Sequence, residues 1–148
     1  MVNNSSRLEE VRVLLESQFL GVLATAGLQG PHASLVAFAS SLDLRTLVLA
    51  TPMSTRKYAN MLSDPRVALL VDSRSNQSSD FHAAAAVTAY GHARVACKEQ
   101  DREWMHLYLK KHPHLIDFVH APSCALVSIA VDRFSQVTSF QEVAEIFV

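Results

Sequence analysis

Between residues 20 and 51 three short apolar runs follow one another with only turn residues between them, and this spacing limits the fold more than any other feature. The runs are LGVLATA (20–26), HASLVAFASS (32–41) and RTLVLAT (45–51). Gly27-Leu28-Gln29-Gly30-Pro31 links the first two, and Leu42-Asp43-Leu44 links the next. Each run has strand length, and neither link can hold a crossover helix, so the three predict consecutive antiparallel strands. Pro52 breaks the pattern. Residues 54–62 read as a short helix stopped by Asp64-Pro65, and RVALLVD (66–72) as a fourth strand. SRSNQSSD (73–80) is a polar loop. AVTAYGHARVA (86–96) is a fifth strand, with Gly91 as a bulge or a point of close approach. Residues 99–111 are helical, with acids first and lysines last, as the helix dipole favours. CALVSIAV (124–131) is a sixth strand, and residues 137–148 supply a last strand or helix. At the other end, Ser6-Arg7-Leu8-Glu9 is a capping box opening a helix over 6–18. About six antiparallel strands with helices among them predict one domain over 1–148, mainly β, a small barrel with flanking helices.

Composition removes several function classes. The 148 residues carry 13 basic and 14 acidic side chains, a net charge of −1, so no basic field predicts nucleic acid or an anionic membrane as partner. The 4 glycines include no window with the spacing of a phosphate-binding P-loop or a dinucleotide fingerprint. Cys97 and Cys124 are far apart and form no C-x-x-C; Cys97 is expected to be a buried or half-buried structural thiol. The segment 1–10 is polar, and no apolar stretch approaches the roughly 18 residues of a membrane helix, which predicts a cytoplasmic chain.

Candidate chemistry concentrates in Thr51-Pro52-Met53-Ser54-Thr55-Arg56-Lys57. Ser54 or Thr55 is a good N-cap, yet Arg56 and Lys57 then fall in the first helical turn, at the positive end of the dipole. Two hydroxyls, a guanidinium, an ammonium and open N–H groups meet here with no acid before Asp64. These groups either face water or hold an anion, and a phosphate satisfies all of them. No residue has the spacing of a catalytic acid, base or nucleophile. His106, His112, His114 and His120 cluster in sequence; His112-Pro113-His114 reads either as a polar connection with exposed histidines or as an iron or haem ligand. No Cys or carboxylate stands at a metal-ligand spacing, so no metal site is expected. Trp104, Leu107 and Tyr108 share one helical face and read as core.

Four pieces in one order, LGVLATAG with GPHASLVAF, TLVLATPMSTRKYANMLSDPRVALLVD, and AVTAYGHARV, resemble the split-barrel flavoproteins related to pyridoxamine 5′-phosphate oxidase. The resemblance runs from residue 20 to about 95 and more weakly to the end. It implies a split β-barrel that binds FMN at the interface of a homodimer and performs redox chemistry on a small substrate. Thr55, Arg56 and Lys57 match the Ser/Thr-Arg-Lys group that holds the flavin phosphate, Thr51 matches a residue that contacts the flavin or its phosphate chain, and Ser54 is counted among the cofactor-binding residues. His32, Ala33, Ser34 and Leu35, within the stretch 32–37, match the strand under the flavin ring. The oxidase itself carries Arg around Ser34, Lys around Ala39 and Gln near Ala86, and this sequence has none of the three there, so the resemblance is to the family and not to the oxidase reaction. The tail from His112 to Ile146 is also similar to haem-degrading members of the same group, with Ser139-Phe140-Gln141 in place of their glycine-rich loop. The rival readings are therefore a haem-binding or haem-degrading barrel and a flavin-binding module without catalysis.

Overall fold

A computed structural model describes residues 3–139 and 142–148; Met1, Val2, Phe140 and Gln141 lie outside the described residues, as does most of the Ser139-Phe140-Gln141 comparison. The elements run α1 (Asn4–Ser17), β1 (Leu20–Gly27), β2 (Gly30–Ser40), β3 (Thr46–Pro52), α2 (Arg56–Ser63), β4 (Arg66–Asp72), α3 (Asp80–Ala83), β5 (Ala86–Val95), α4 (Arg102–Lys111), a 3-10 turn (Pro113–Leu115), α5 (Ile116–His120), β6 (Cys124–Thr138) and β7 (Glu142–Phe147). The strands form one antiparallel sheet in the order β3-β2-β1-β4-β5-β6-β7, and a further β3–β6 pairing closes the first six into a barrel.

The closure depends on the length of β6. Along one edge its residues 124–130 pair with β3 and 133–138 with β7, and along the other residues 127–137 pair with β5. The sequence pattern predicts a strand of 124–131, because polar residues begin at Asp132. The strand continues since those residues alternate along a sheet that is solvated on one side. Between Tyr90 and Gly91 the register shifts by one, leaving Asp132 as the extra residue of a bulge. A Cβ on Gly91 would lie 2.1 Å from the Ala130 carbonyl oxygen, so the glycine lets β5 and β6 approach at that bend.

Two packed regions explain the two kinds of strand. Inside the barrel, Leu23, Phe38, Leu49, Leu69, Val87 and Phe134 meet Val11, Leu14 and Leu15 from α1 and Met61 from α2. Outside it, Val48, Ala50, Cys124 and Leu126 are covered by Met105, Tyr108 and Val119 from α4 and α5, with Trp104 and Leu107 packed at the rim. So β3 and the start of β6 are buried on both faces and read as unbroken apolar runs, whereas β1, buried on one face, alternates.

Local starts differ from expectation in places. The cap of α1 is Asn3, whose side chain accepts from the Ser5 N–H, so the Ser6 box lies inside the helix. The β1–β2 link is a two-residue turn, Leu28-Gln29, because Gly27 pairs with Gly30, and Gly30 holds the φ of 96° that favours glycine. Helix α4 begins at Arg102 rather than at 99. Of the alanine run 83–86 only Ala86 is in β5; Ala83 ends α3. Cys97 is exposed, contrary to the buried thiol expected, because β5 ends before it and its Sγ turns to Glu99. His112 is buried, contrary to an exposed connection: its Nε2 stands 2.7 Å from the Phe38 carbonyl oxygen. No helix among the described residues is long and apolar enough to cross a membrane.

Candidate functional site

The barrel wall is not paired along its full height. β3 pairs with β2 only at Phe38–Ser40, so residues 30–37 of β2 have a strand partner on the β1 side alone. Helix α2 follows β3 directly and packs across β1 and β2 beside this split. Two parts of the chain separated in sequence are thereby brought to one side of the barrel: the stretch His32 to Leu35, and the segment from Thr51 to Lys57.

The start of α2 is built by hydroxyls. Thr55 caps the helix, its Oγ1 accepting from the Tyr58 N–H at 3.4 Å and donating to the Pro52 carbonyl at 2.9 Å. The Thr51 and Thr55 hydroxyls share a hydrogen bond at 2.9 Å, and Thr51 Oγ1 also lies 3.3 Å from the Pro52 carbonyl oxygen. Thr51 is fully buried and braces the turn from behind. Ser54 and Arg56 are exposed and Lys57 is half-buried. Among the described residues the backbone N–H groups of Arg56 and Lys57 meet no protein acceptor, as expected of a first helical turn. Arg7, Arg12, Arg66, Arg74, Arg94 and Arg133 each face a carboxylate within 4 Å. Arg56 and Lys57 face none among the described residues, although the dipole at this end repels them.

A side-chain latch fixes the helix to the barrel. Asn60, 8% exposed, donates through Nδ2 to the Thr25 hydroxyl at 3.0 Å, and Thr25 is itself buried. The fit requires glycine at position 27, where a Cβ would lie 2.0 Å from the Asn60 Oδ1. Sequence reasoning missed this latch; an Asn inside a helix and a Gly at a strand end were its two separate signals. Between α2 and the β1–β2 turn lies a cleft of about 370 Å³, lined by Arg56 and Asn60 on one side and by Leu28 through Pro31 on the other.

On β2, His32 and Ser34 are half-buried, and Ser34 Oγ is enclosed without a hydrogen-bond partner in the structure. Ala33 and Leu35 point outward, Leu35 at 67% exposure. They continue an apolar outer face: Leu35 lies opposite Val22, Val22 opposite Leu70, and Ala33 and Ala68 flank Ala24. Leu20 and Val137 extend the face on either side.

The titrations displaced by burial lie elsewhere, around α4. Burial lowers Lys111 to about 8, although its Nζ donates to the Leu15 and Gln18 carbonyls at the end of α1. Burial also holds the His112 imidazole below its usual range and pushes Tyr108 up to about 12. Among the described residues no group of three His, Cys, Asp or Glu side chains could hold a metal ion. What the α2 start and the β2 edge offer chemically is anion binding beside an enclosed, half-apolar wall.

A sequence model of the family described as Pyridoxamine 5′-phosphate oxidase matches residues 8–138. A comparison with curated protein sequences returns no match. Among solved structures, the chain is similar to a haem-binding protein from Mycobacterium smegmatis, with a TM-score of 0.84 at 22% identity over 99% of this chain. It spans 59% of that protein's length. It is similar to a Clostridium acetobutylicum protein related to general stress protein 26 of the pyridoxinephosphate oxidase family, with a TM-score of 0.76, 15% identity and coverage of 99% and 97% of the two chains. An FAD-binding protein from Mesorhizobium loti superposes with a TM-score of 0.67, 21% identity and coverage of 87% and 90%. At these identities the likeness is one of fold.

Proposed function

Because the chain belongs to the pyridoxamine 5′-phosphate oxidase family, we propose that it is a cytoplasmic flavoprotein that holds FMN by its phosphate and serves as an oxidoreductase for a small substrate. The observation that carries this reading is the pair Arg56 and Lys57, unpaired with any carboxylate among the described residues at a capped helix start with open N–H groups. A phosphate there would receive the N–H groups, the Ser54 hydroxyl and both cations.

In this reading Thr51 and Thr55 keep the turn in shape, and Ser54, Arg56 and Lys57 bind the phosphate. The His32 to Leu35 strand lies along the ring, and the outer face through Leu35 and Leu70 packs against a second copy of the chain. The bound flavin supplies the hydride or electron transfer; the chain supplies orientation and exclusion of water. No side chain is assigned as acid or base.

FMN is expected to bind at least about a hundredfold more tightly than riboflavin, since two charge-assisted contacts of roughly 1.5–3 kcal/mol each separate the two ligands. Fluorescence titration of the flavin-free protein measures this. Equal affinities would end the phosphate reading. The absorbance of the purified protein tests the haem alternative in the same preparation: flavin bands support the proposal, and a haem Soret band overturns it. Oxidation of a reduced nicotinamide or deazaflavin by the holoprotein separates an enzyme from a module that only binds.

A further inference from the structure

The cleft between the β1–β2 turn and α2 is not needed for one phosphate. Arg56, Ala59, Asn60 and Ser63 line it, so it follows one face of α2 for about 10 Å from the first residue of the helix. Lys57 does not line it. Its volume of about 370 Å³ lies within the roughly 300–1,000 Å³ of small-molecule sites. The opposite wall is apolar at Leu28 and Pro31 and polar at Gln29. At its floor Asn60 is more than nine-tenths buried, and its amide is fixed by Thr25. With Nδ2 committed, the Oδ1 is left as an acceptor with no donor among the described residues.

A guanidinium at one end, a fixed amide acceptor in the middle and apolar surfaces on two sides suit a phosphate joined to a flat heteroaromatic ring with an amino edge. We propose that this cleft takes the second nucleotide of a flavin dinucleotide. The outer phosphate lies on Arg56, and an adenine-type ring sits between Leu28, Pro31 and Ala59 and donates its amino group to Asn60 Oδ1. The inference rests on the flavin reading above. Ser54, Arg56, Lys57 and the helix N–H groups hold the phosphate common to FMN and FAD, and Arg56, which also lines the cleft, reaches in addition the phosphate found only in FAD.

The test is titration of the flavin-free protein with FMN and with FAD, in the natural sequence and in Ala59→Trp. Ala59 is exposed, so the indole fills the cleft without entering the core. The natural protein is expected to bind FAD about tenfold or more tightly than FMN. Ala59→Trp is expected to abolish that preference while leaving FMN affinity and the melting temperature unchanged. Ser63→Trp, one turn further along the same face, gives a second blocked cleft should Ala59→Trp fail to fold. Arg56→Ala should weaken FAD more than FMN, and Lys57→Ala should weaken both alike. FMN binding with no preference for FAD, or a preference that survives both tryptophans, overturns the dinucleotide site and leaves the flavin reading standing. Failure of both flavins to bind overturns the two together.

Discussion

Gly27 and Gly91 occupy places where one added carbon would collide, but the atoms they would meet differ in kind. A Cβ at Gly91 meets the Ala130 backbone carbonyl, which the β5–β6 ladder holds in place. A Cβ at Gly27 meets the end of the Asn60 side chain, which can rotate away by giving up its bond to Thr25. Gly91→Ala is therefore expected to lower stability by about 1–3 kcal/mol through forced backbone shifts, with little effect on flavin affinity. Gly27→Ala is expected to cost about 1–3 kcal/mol through the broken buried hydrogen bond, and also to loosen α2 and weaken FMN. Urea unfolding and FMN titration of the two variants separate these outcomes. A cycle with Asn60→Ala checks the cause: once Asn60 is shortened, Gly27→Ala should be nearly harmless, and full additivity would refute the latch. Of these residues, Gly91 was readable as a bulge from a lone glycine in a strand pattern. Asn60 was not, because its role depends on Thr25 and Gly27, thirty-odd residues away, and spacing along one helix carries no sign of them.

At the scale of elements, legibility followed burial. β4 was read to the residue, since the apolar run in RVALLVD is bounded by Pro65 and a polar loop. The end of β6 and the start of α4 were misplaced, because bulges, caps and long solvated strands leave weak periodic signals. The capped start of α2 was legible because a hydroxyl residue shortly after Pro52 is a local N-cap signal, and Thr55 is that cap. The join between α4 and β2 was invisible in sequence, and it gives a test by pH. Burial depresses the His112 pKa in the folded chain below the ordinary 6.5, so the unfolded chain binds the proton first as pH falls. The stability His112 contributes through Phe38 is present above about pH 6.5 and is lost progressively below it. His112→Gln keeps a donor without the titration. Urea unfolding should show the natural protein losing its advantage over this variant between pH 7.5 and 5.5, both about one pH unit from the ordinary histidine value. A difference that stays constant over that range would show that the imidazole does not titrate as described.

At the scale of the molecule, the outer face of the β2-β1-β4-β5 sheet decides how many chains make a site. Leu35, Val22 and Leu70 lie side by side across three strands, with Ala33, Ala24 and Ala68 in the next row. Leu35 is 67% exposed and Leu20 54%, and the alanines let another backbone approach closely. A contiguous apolar patch of this kind on a small barrel marks an interaction surface. The same β2 residues form the strand assigned to the flavin ring, so a second copy packed two-fold on this face would cover the ring and complete two equivalent sites. The protein is accordingly expected to sediment at twice the mass of one chain at micromolar concentration, and FMN should strengthen the dimer, because ligand and interface are linked. Leu35→Glu is the discriminating variant. Its cost to a single chain should stay within about 0.5 kcal/mol, as for most exposed positions. In the dimer it would bury a carboxylate from each chain in an apolar interface, where desolvation makes it expensive. Light scattering should then find a folded monomer, and titration should find FMN bound much more weakly with Arg56 and Lys57 intact. A Leu35→Glu protein that stays dimeric, or a monomer that binds FMN as tightly as the natural chain, would remove the shared site and leave each barrel to hold its flavin alone.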